Sequence, residues 1–342
     1  MVPTGFLPDI KNPNYPCDTD RPKAVGEYLA TRNFLEHGEH VRRLTASETP
    51  GRNATWRVET TTRSFVVKQF CPWPANGRAA PAPEERFKAE CQFYRTARIA
   101  DLVGRSLPSL LHHDCRAGCA IFEDVGEGDV ALYPLTPADA ESLAWFLVSL
   151  HHHSQSVPAS ARYHSREVVG WQMAHLFKQS RLSRRGESGR WLARFAGFSE
   201  RTRHALEDAL AALEREGSSL VHGHFMASNW VRAKDGRLRV VDAEFSFFGP
   251  PEFDAGAFLA SLLYTRQSPE VLRAGLAVLN EACVRYQPRL TAAFAVVHLC
   301  DQLENSRERE HAPRGAAATA LLRRLARAVE TASLGALLPA NG

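Results

Sequence analysis

The segment SSLVHGHFMASNWVRAKDGRLRVVDAEFSFFGP, Ser218 to Pro250, concentrates residue types suited to phosphoryl transfer. His222 and His224 flank a glycine at the end of one apolar run. Asn229 follows, and Asp242 and Glu244 close the next apolar run. Phosphoryl transfer asks for positioning, for cations against phosphate charge, and for a group near the attacking hydroxyl. An amide oxygen and a carboxylate are hard oxygen ligands of the kind magnesium selects. Asn229 and Asp242 therefore form a candidate metal pair, with Glu244 as a second carboxylate. Upstream, Lys68 ends the run SFVVK, where a strand lysine beside a cleft can hold phosphate oxygens. Glu90 lies on the inward stripe of the next helix with Phe87, Cys91 and Tyr94, and is the candidate partner of Lys68. Glu84 and Glu85 suit that role less, because acids in a first turn serve the helix dipole. Taken alone, Lys68 also fits a solvated edge lysine, and Asn229 and Asp242 also fit hairpin turn residues.

These side chains need elements to carry them. TWRVET and SFVVKQF are rich in β-branched and aromatic residues and read as antiparallel strands. EERFKAECQFYRTAR, 84–98, has the spacing of an amphipathic helix. CAIFEDVGEGD reads as a strand running into a flexible acidic connection. Helical patterns dominate beyond it, beginning with TPADAESLAWFLVSLHHHS, where Thr136 is the N-cap and Pro137 the first helical residue. Asp235-Gly236 between NWVRA and RLRVVD signals a hairpin. The pattern predicts an α+β fold of two unequal lobes. The smaller, strand-rich lobe would cover 1–122, a hinge 123–126, and a mostly helical lobe 127–342.

Composition narrows the classes. The net charge of +4 over 342 residues is too mild for a dense nucleic-acid stripe and suits an anionic small ligand. Seven scattered cysteines argue against a disulfide framework and for a reducing cytoplasm. Cys115 and Cys119 lack a second ligand pair nearby. The N-terminus lacks a signal-peptide pattern, and no run approaches the roughly 18 apolar residues of a membrane span. The run His151 to His153 ends a helix, where cations are favoured.

The order Lys68, Glu90, HGHFMASN and VVDAEF resembles the kinase-like small-molecule phosphotransferases, the superfamily of aminoglycoside phosphotransferases and choline kinases. Within it, DAEFSFFGPPEFDAGAF, 242–258, resembles the methylthioribose kinase branch. The resemblance implies a protein-kinase-like fold with ATP or GTP bound between the lobes as co-substrate, together with Mg2+. It implies a small-molecule hydroxyl acceptor: a sugar, nucleoside, amino alcohol or antibiotic. Carried over by motif, the loop with Ser47, Gly51 and Asn53 would cover the phosphates. Lys68 would hold the α- and β-phosphates and Glu90 would orient it. Glu123 and Val125 would meet the base. Asn229, Asp242 and Glu244 would hold the metal, and His222 would brace the loop.

The sequence departs from the family pattern H-G-D-x-H-x-x-N in one place that bears on chemistry. His224 stands at the position of the catalytic aspartate, and Met226 replaces the second histidine. Three readings follow. His224 is a working base, since a neutral imidazole accepts a proton near pH 7. Or the chain is a degenerate nucleotide-binding module. Or a loose transition state makes a strong base dispensable, and His224 orients the acceptor. A rival of another class takes His222 and His224 as an H-x-H pair of a zinc hydrolase, with Asp242 as third ligand.

Overall fold

The computed structural model describes residues 21–46, 53–70, 80–126, 134–177, 197–305 and 313–338. Its strand-rich part is a five-stranded antiparallel sheet in the order β1-β2-β3-β5-β4. The strands are β1 (Val41–Ala46), β2 (Asn53–Thr60), β3 (Ser64–Phe70), β4 (Leu110–Asp114) and β5 (Cys119–Glu123). β2 and β3 match the sequence reading. The edge strands β1 and β4 escape it: VRRLTA and LLHHD carry charge or histidine on partly solvated faces, so neither alternates cleanly.

The period of two along β3 gives the sheet two working faces. Phe65 and Val67 point to a small core with Val25 and Leu29 of α1 (Arg21–Thr31). Lys68 and Phe70 point the other way, toward α2 (Pro83–Ala97), where the Phe70 and Phe87 rings meet edge-on at 5.4 Å. Lys68 is thus a buried cation on the middle strand, and the edge-lysine reading falls.

After the short α3 (Asp101–Arg105) and β4–β5, the chain leaves the sheet at Glu123. Asp124 accepts from Arg57 Nε at 2.9 Å and Ser64 Oγ at 2.6 Å, which clasps the connection to β2 and β3. Val125 O accepts from Lys234 N at 3.2 Å, which ties it to the later hairpin.

The remainder is mostly helical. α4 (Pro137–Ser154) starts with the expected cap: Thr136 Oγ1 accepts from Asp139 N at 3.2 Å, and Thr136 N donates back to Asp139 Oδ2 at 2.9 Å. α5 (Arg166–Leu176) and α6 (Glu200–Glu214) follow, then α7 (Glu252–Tyr264), α8 (Pro269–Glu281), α9 (Pro288–Asn305) and α10 (Ala316–Thr331). Between α6 and α7 lie β6 (Ser219–Val221), which pairs with β9 (Phe247–Gly249), and the hairpin β7 (Trp230–Arg232)–β8 (Leu238–Val240). Its turn uses Gly236 at φ +79°, as Asp-Gly predicts. No helix among the described residues is long and apolar enough to cross a membrane.

The histidine run departs from expectation. His151 is fully buried, with Nδ1 against Tyr286 Oη at 2.9 Å and Nε2 against Asp254 Oδ2 at 3.3 Å. The helix-end reading overlooked that residue 151 falls on the inward face of α4, with Leu147 and Leu150.

Candidate active site

The site forms where β3, α2 and the two short sheets meet. Lys68 Nζ donates to Glu90 Oε2 at 2.5 Å and also to Asp242 Oδ1. One ammonium therefore joins the strand-rich part to the segment after β8. Burial pulls the Lys68 ammonium down, but the Asp242 and Glu90 carboxylates outweigh that and hold it charged, well above its ordinary value. Burial pushes Glu90 up to about 7, against the pull of Lys68.

Asp242 and Glu244 diverge despite their spacing. The Asp242 side chain is 35% exposed, and its backbone sits in the left-handed region at φ +65°. The Glu244 side chain is 2% exposed. Its Oε2 accepts from Arg86 Nη1 at 2.8 Å and from Asn53 Nδ2 at 2.6 Å. Arg86 is fully buried and also donates to Asn53 Oδ1 at 2.6 Å and, through Nε, to Pro81 O at 3.2 Å. Sequence reasoning missed Arg86. The signal was its position one turn before Glu90, on the stripe Arg86, Glu90, Phe93, Ala97, all of it buried.

The His222–His224 loop is braced from below. Asp254, on the first turn of α7, accepts from His222 N at 2.6 Å and Gly223 N at 3.0 Å. Gln172 Nε2 donates to Gly223 O at 2.5 Å. Gly223 has φ +79°, and a Cβ there would stand 1.9 Å from Phe245 O, so only glycine fits. His222 Nε2 lies 3.0 Å from Val241 O, and His222 Nδ1 accepts from His224 N at 3.3 Å. Burial lowers the pKa of His222, so the ring is neutral with its proton on Nε2. Both ring nitrogens are spent on backbone, which removes His222 as a zinc ligand.

Asn229 Nδ2 donates twice to His224: to its carbonyl at 2.8 Å and to its Nδ1 at 2.9 Å. That network assigns the neutral His224 proton to Nε2 and leaves Asn229 Oδ1 as the amide's oxygen donor. The His224 ring also meets Phe245 edge-on at 5.9 Å. Behind Phe245 the Trp171 ring stacks at 4.4 Å and His175 stacks on Trp171 at 4.5 Å. His175 Nε2 pairs with Asp301 Oδ1 at 3.2 Å. Burial raises Asp301, but His175 and the neighbouring imidazoles, His224 included, hold it below its ordinary range.

Of the remaining candidates, Asn53 opens β2 beside Glu244. The Glu123 side chain turns outward to Ser109 N at 3.0 Å. Val125 lies in the connection after β5. Ser47 and Gly51 lie outside the described residues. Cys115 is exposed and Cys119 buried, and both are free thiols.

The chain matches the phosphotransferase enzyme family over residues 49–292, well over half its length. It belongs to that family. Among curated proteins, this phosphotransferase family chain is 26% identical to the methylthioribose kinase of Yersinia pseudotuberculosis over 216 residues, covering 58% of the chain and 52% of the relative. It thus spans about half the length of that curated relative. Among solved structures it resembles choline kinase from Streptococcus pneumoniae, with a TM-score of 0.52, 14% identity, and coverage of 92% of this chain and 100% of that one. The AMP-bound spectinomycin phosphotransferase gives a TM-score of 0.54 at 10% identity, covering 91% and 97%. These likenesses make the fold the expected two-lobed, kinase-like one, with a small strand-rich lobe and a larger helical lobe.

Proposed function

We propose that this protein transfers the γ-phosphoryl group of ATP to a hydroxyl of a small molecule. The observation that carries the reading is the pair of contacts from Lys68 to Glu90 and Asp242, which joins the two lobes at one charged point. In this reading Lys68 holds phosphate oxygens while Glu90 keeps it in place. Asn53 lies toward the phosphates, and Glu123 and Val125 flank the base.

Asn229 Oδ1 and the accessible carboxylate of Asp242 suit magnesium, being hard oxygen donors at the same open end of the hairpin. Magnesium, when bound there, supplies positive charge against the β- and γ-phosphates.

The hydrogen bonds of His224 favour positioning over proton abstraction. A general base needs a free lone pair toward the cleft, whereas a ring whose Nδ1 accepts from Asn229 carries its proton on Nε2. His224 Nε2–H donates to the acceptor oxygen and holds it in line. The Pγ–O bond to ADP breaks and leaves its electron pair on ADP. The acceptor oxygen forms the new bond, and its proton passes late to an oxygen of the transferred group. A loose transition state tolerates that order.

Kinetics of two His224 variants test this. His224→Asn retains a donor, and its kcat is expected within about tenfold of the parent, because only a true base contributes roughly 10²–10⁴. Losses of that size in both His224→Asn and His224→Ala, with the loss of an acid limb that the parental pH profile shows, would make the histidine a base. ATP binding without turnover across sugar, nucleoside, amino-alcohol and antibiotic acceptors would favour a binding module.

A further inference from the structure

We propose that the Arg86 guanidinium takes the place of a second divalent cation at Glu244, so that this site works with one magnesium, held by Asn229 and Asp242. The proposal rests on the phosphotransferase reading above. Phosphoryl-transfer sites often set two metal ions against their acids. Here the two acids of the Asp-x-Glu segment have different surroundings. Asp242 is accessible and reaches Lys68, whereas Glu244 is closed off behind Arg86 and Asn53.

Arg86 is suited to a permanent role. A guanidinium does not lose its proton in proteins, so its charge persists at every working pH. Its Nη1 donates to Glu244 and Asn53 and its Nε to Pro81 O, all within 3.2 Å. A magnesium ion at Glu244 would need oxygens at about 2.0–2.1 Å in near-octahedral array. It would also have to enter beside a fixed positive charge in a buried setting, where like-charge repulsion is weakly screened. The local pairing agrees: Lys68 faces Glu90 and Asp242, while Arg86 faces Glu244. Asp242 is the most exposed of the three acids, so its carboxylate is presented where nucleotide and a single metal ion would arrive.

Arg86 is therefore a positioning residue. It acts through Glu244 and Asn53, and it sets how many cations the site accepts.

Manganese(II) titration at saturating ADP, with free metal read by EPR, tests this without turnover. The parent protein and Arg86→Lys are expected to bind one manganese per chain, and Asp242→Asn none. Arg86→Met bares the Glu244 carboxylate and is expected to bind two. Should Arg86→Met fail to fold, Arg86→Met/Glu244→Met decides, since an apolar pair of similar volume can replace a buried ion pair. That double variant is expected to keep one manganese with affinity within about threefold of the parent. Two ions in the parent, one ion in a folded Arg86→Met, or a tenfold loss of affinity in the double variant would each overturn the proposal while leaving the phosphotransferase reading intact. No manganese retained with ADP by any of the proteins would overturn both.

Discussion

Asp254→Asn removes one charge beneath the His222–His224 loop, and its cost follows from the contacts. The carboxylate accepts from His222 N, Gly223 N and His151 Nε2, with no exposure to solvent. Asparagine offers one acceptor oxygen and turns an NH2 group toward the second backbone donor. A hydrogen bond to a charged group is worth about 1.5–3 kcal/mol, and a buried donor left without a partner costs about 1–3 kcal/mol. Together they put the destabilisation at about 3–5 kcal/mol. At about 2 °C per kcal/mol for a chain of this size, the melting temperature falls by roughly 6–10 °C. Differential scanning calorimetry measures the shift, with Asp254→Glu as a control that keeps the charge. The loop that carries His224 loses its support, so kcat falls with the melting temperature. A shift under about 1 °C would refute the reasoning, because it would mean that these donors have another route to satisfaction.

Two further outcomes follow from neighbouring features. Gly223→Ala forces a Cβ against Phe245 O at positive φ, so left-handed strain of about 1–2 kcal/mol adds to overpacking of about 1–3 kcal/mol. Urea melts should show a loss of about 2–5 kcal/mol, and an unchanged midpoint would contradict the close approach. His298 is buried against the Phe253 ring at 4.7 Å, and burial lowers its pKa to about 4. A histidine kept neutral in the fold but protonated in the unfolded chain stabilises fully above pH 6.5, and that contribution is lost as pH falls toward 4. His298→Phe should therefore gain stability over the parent across that window, up to about 3 kcal/mol near pH 4. Parallel pH–stability curves for the two proteins would show that His298 does not titrate as described.

Much of the candidate site was legible in the sequence because its residues belong to strongly patterned elements. Lys68 lies in an apolar strand, Glu90 shares a helical stripe with Phe87 and Tyr94, and Asp235-Gly236 fixes the hairpin that brings Asn229 and Asp242 to one end. What stayed hidden depends on pairing across distance. Arg86 looks like any charged residue of a mixed-charge helix until Glu244, far along the chain, is seen to bury it. The stack from His224 through Phe245 and Trp171 to His175 and Asp301 joins four separate segments, and no local period announces it. His151 was misjudged for the same reason: its partners Asp254 and Tyr286 come from later helices. The tautomer of His224 depends on the way the Asn229 amide faces, which spacing cannot express.

Helix α2 hands a carboxylate to Lys68 and a guanidinium to Glu244 from positions one turn apart. As a rigid rod it cannot surrender one bond and keep the other: sliding along its axis or rolling about it withdraws both. Whatever displaces that rod from outside the cleft would release the strand lysine and the Asp-x-Glu segment in the same stroke.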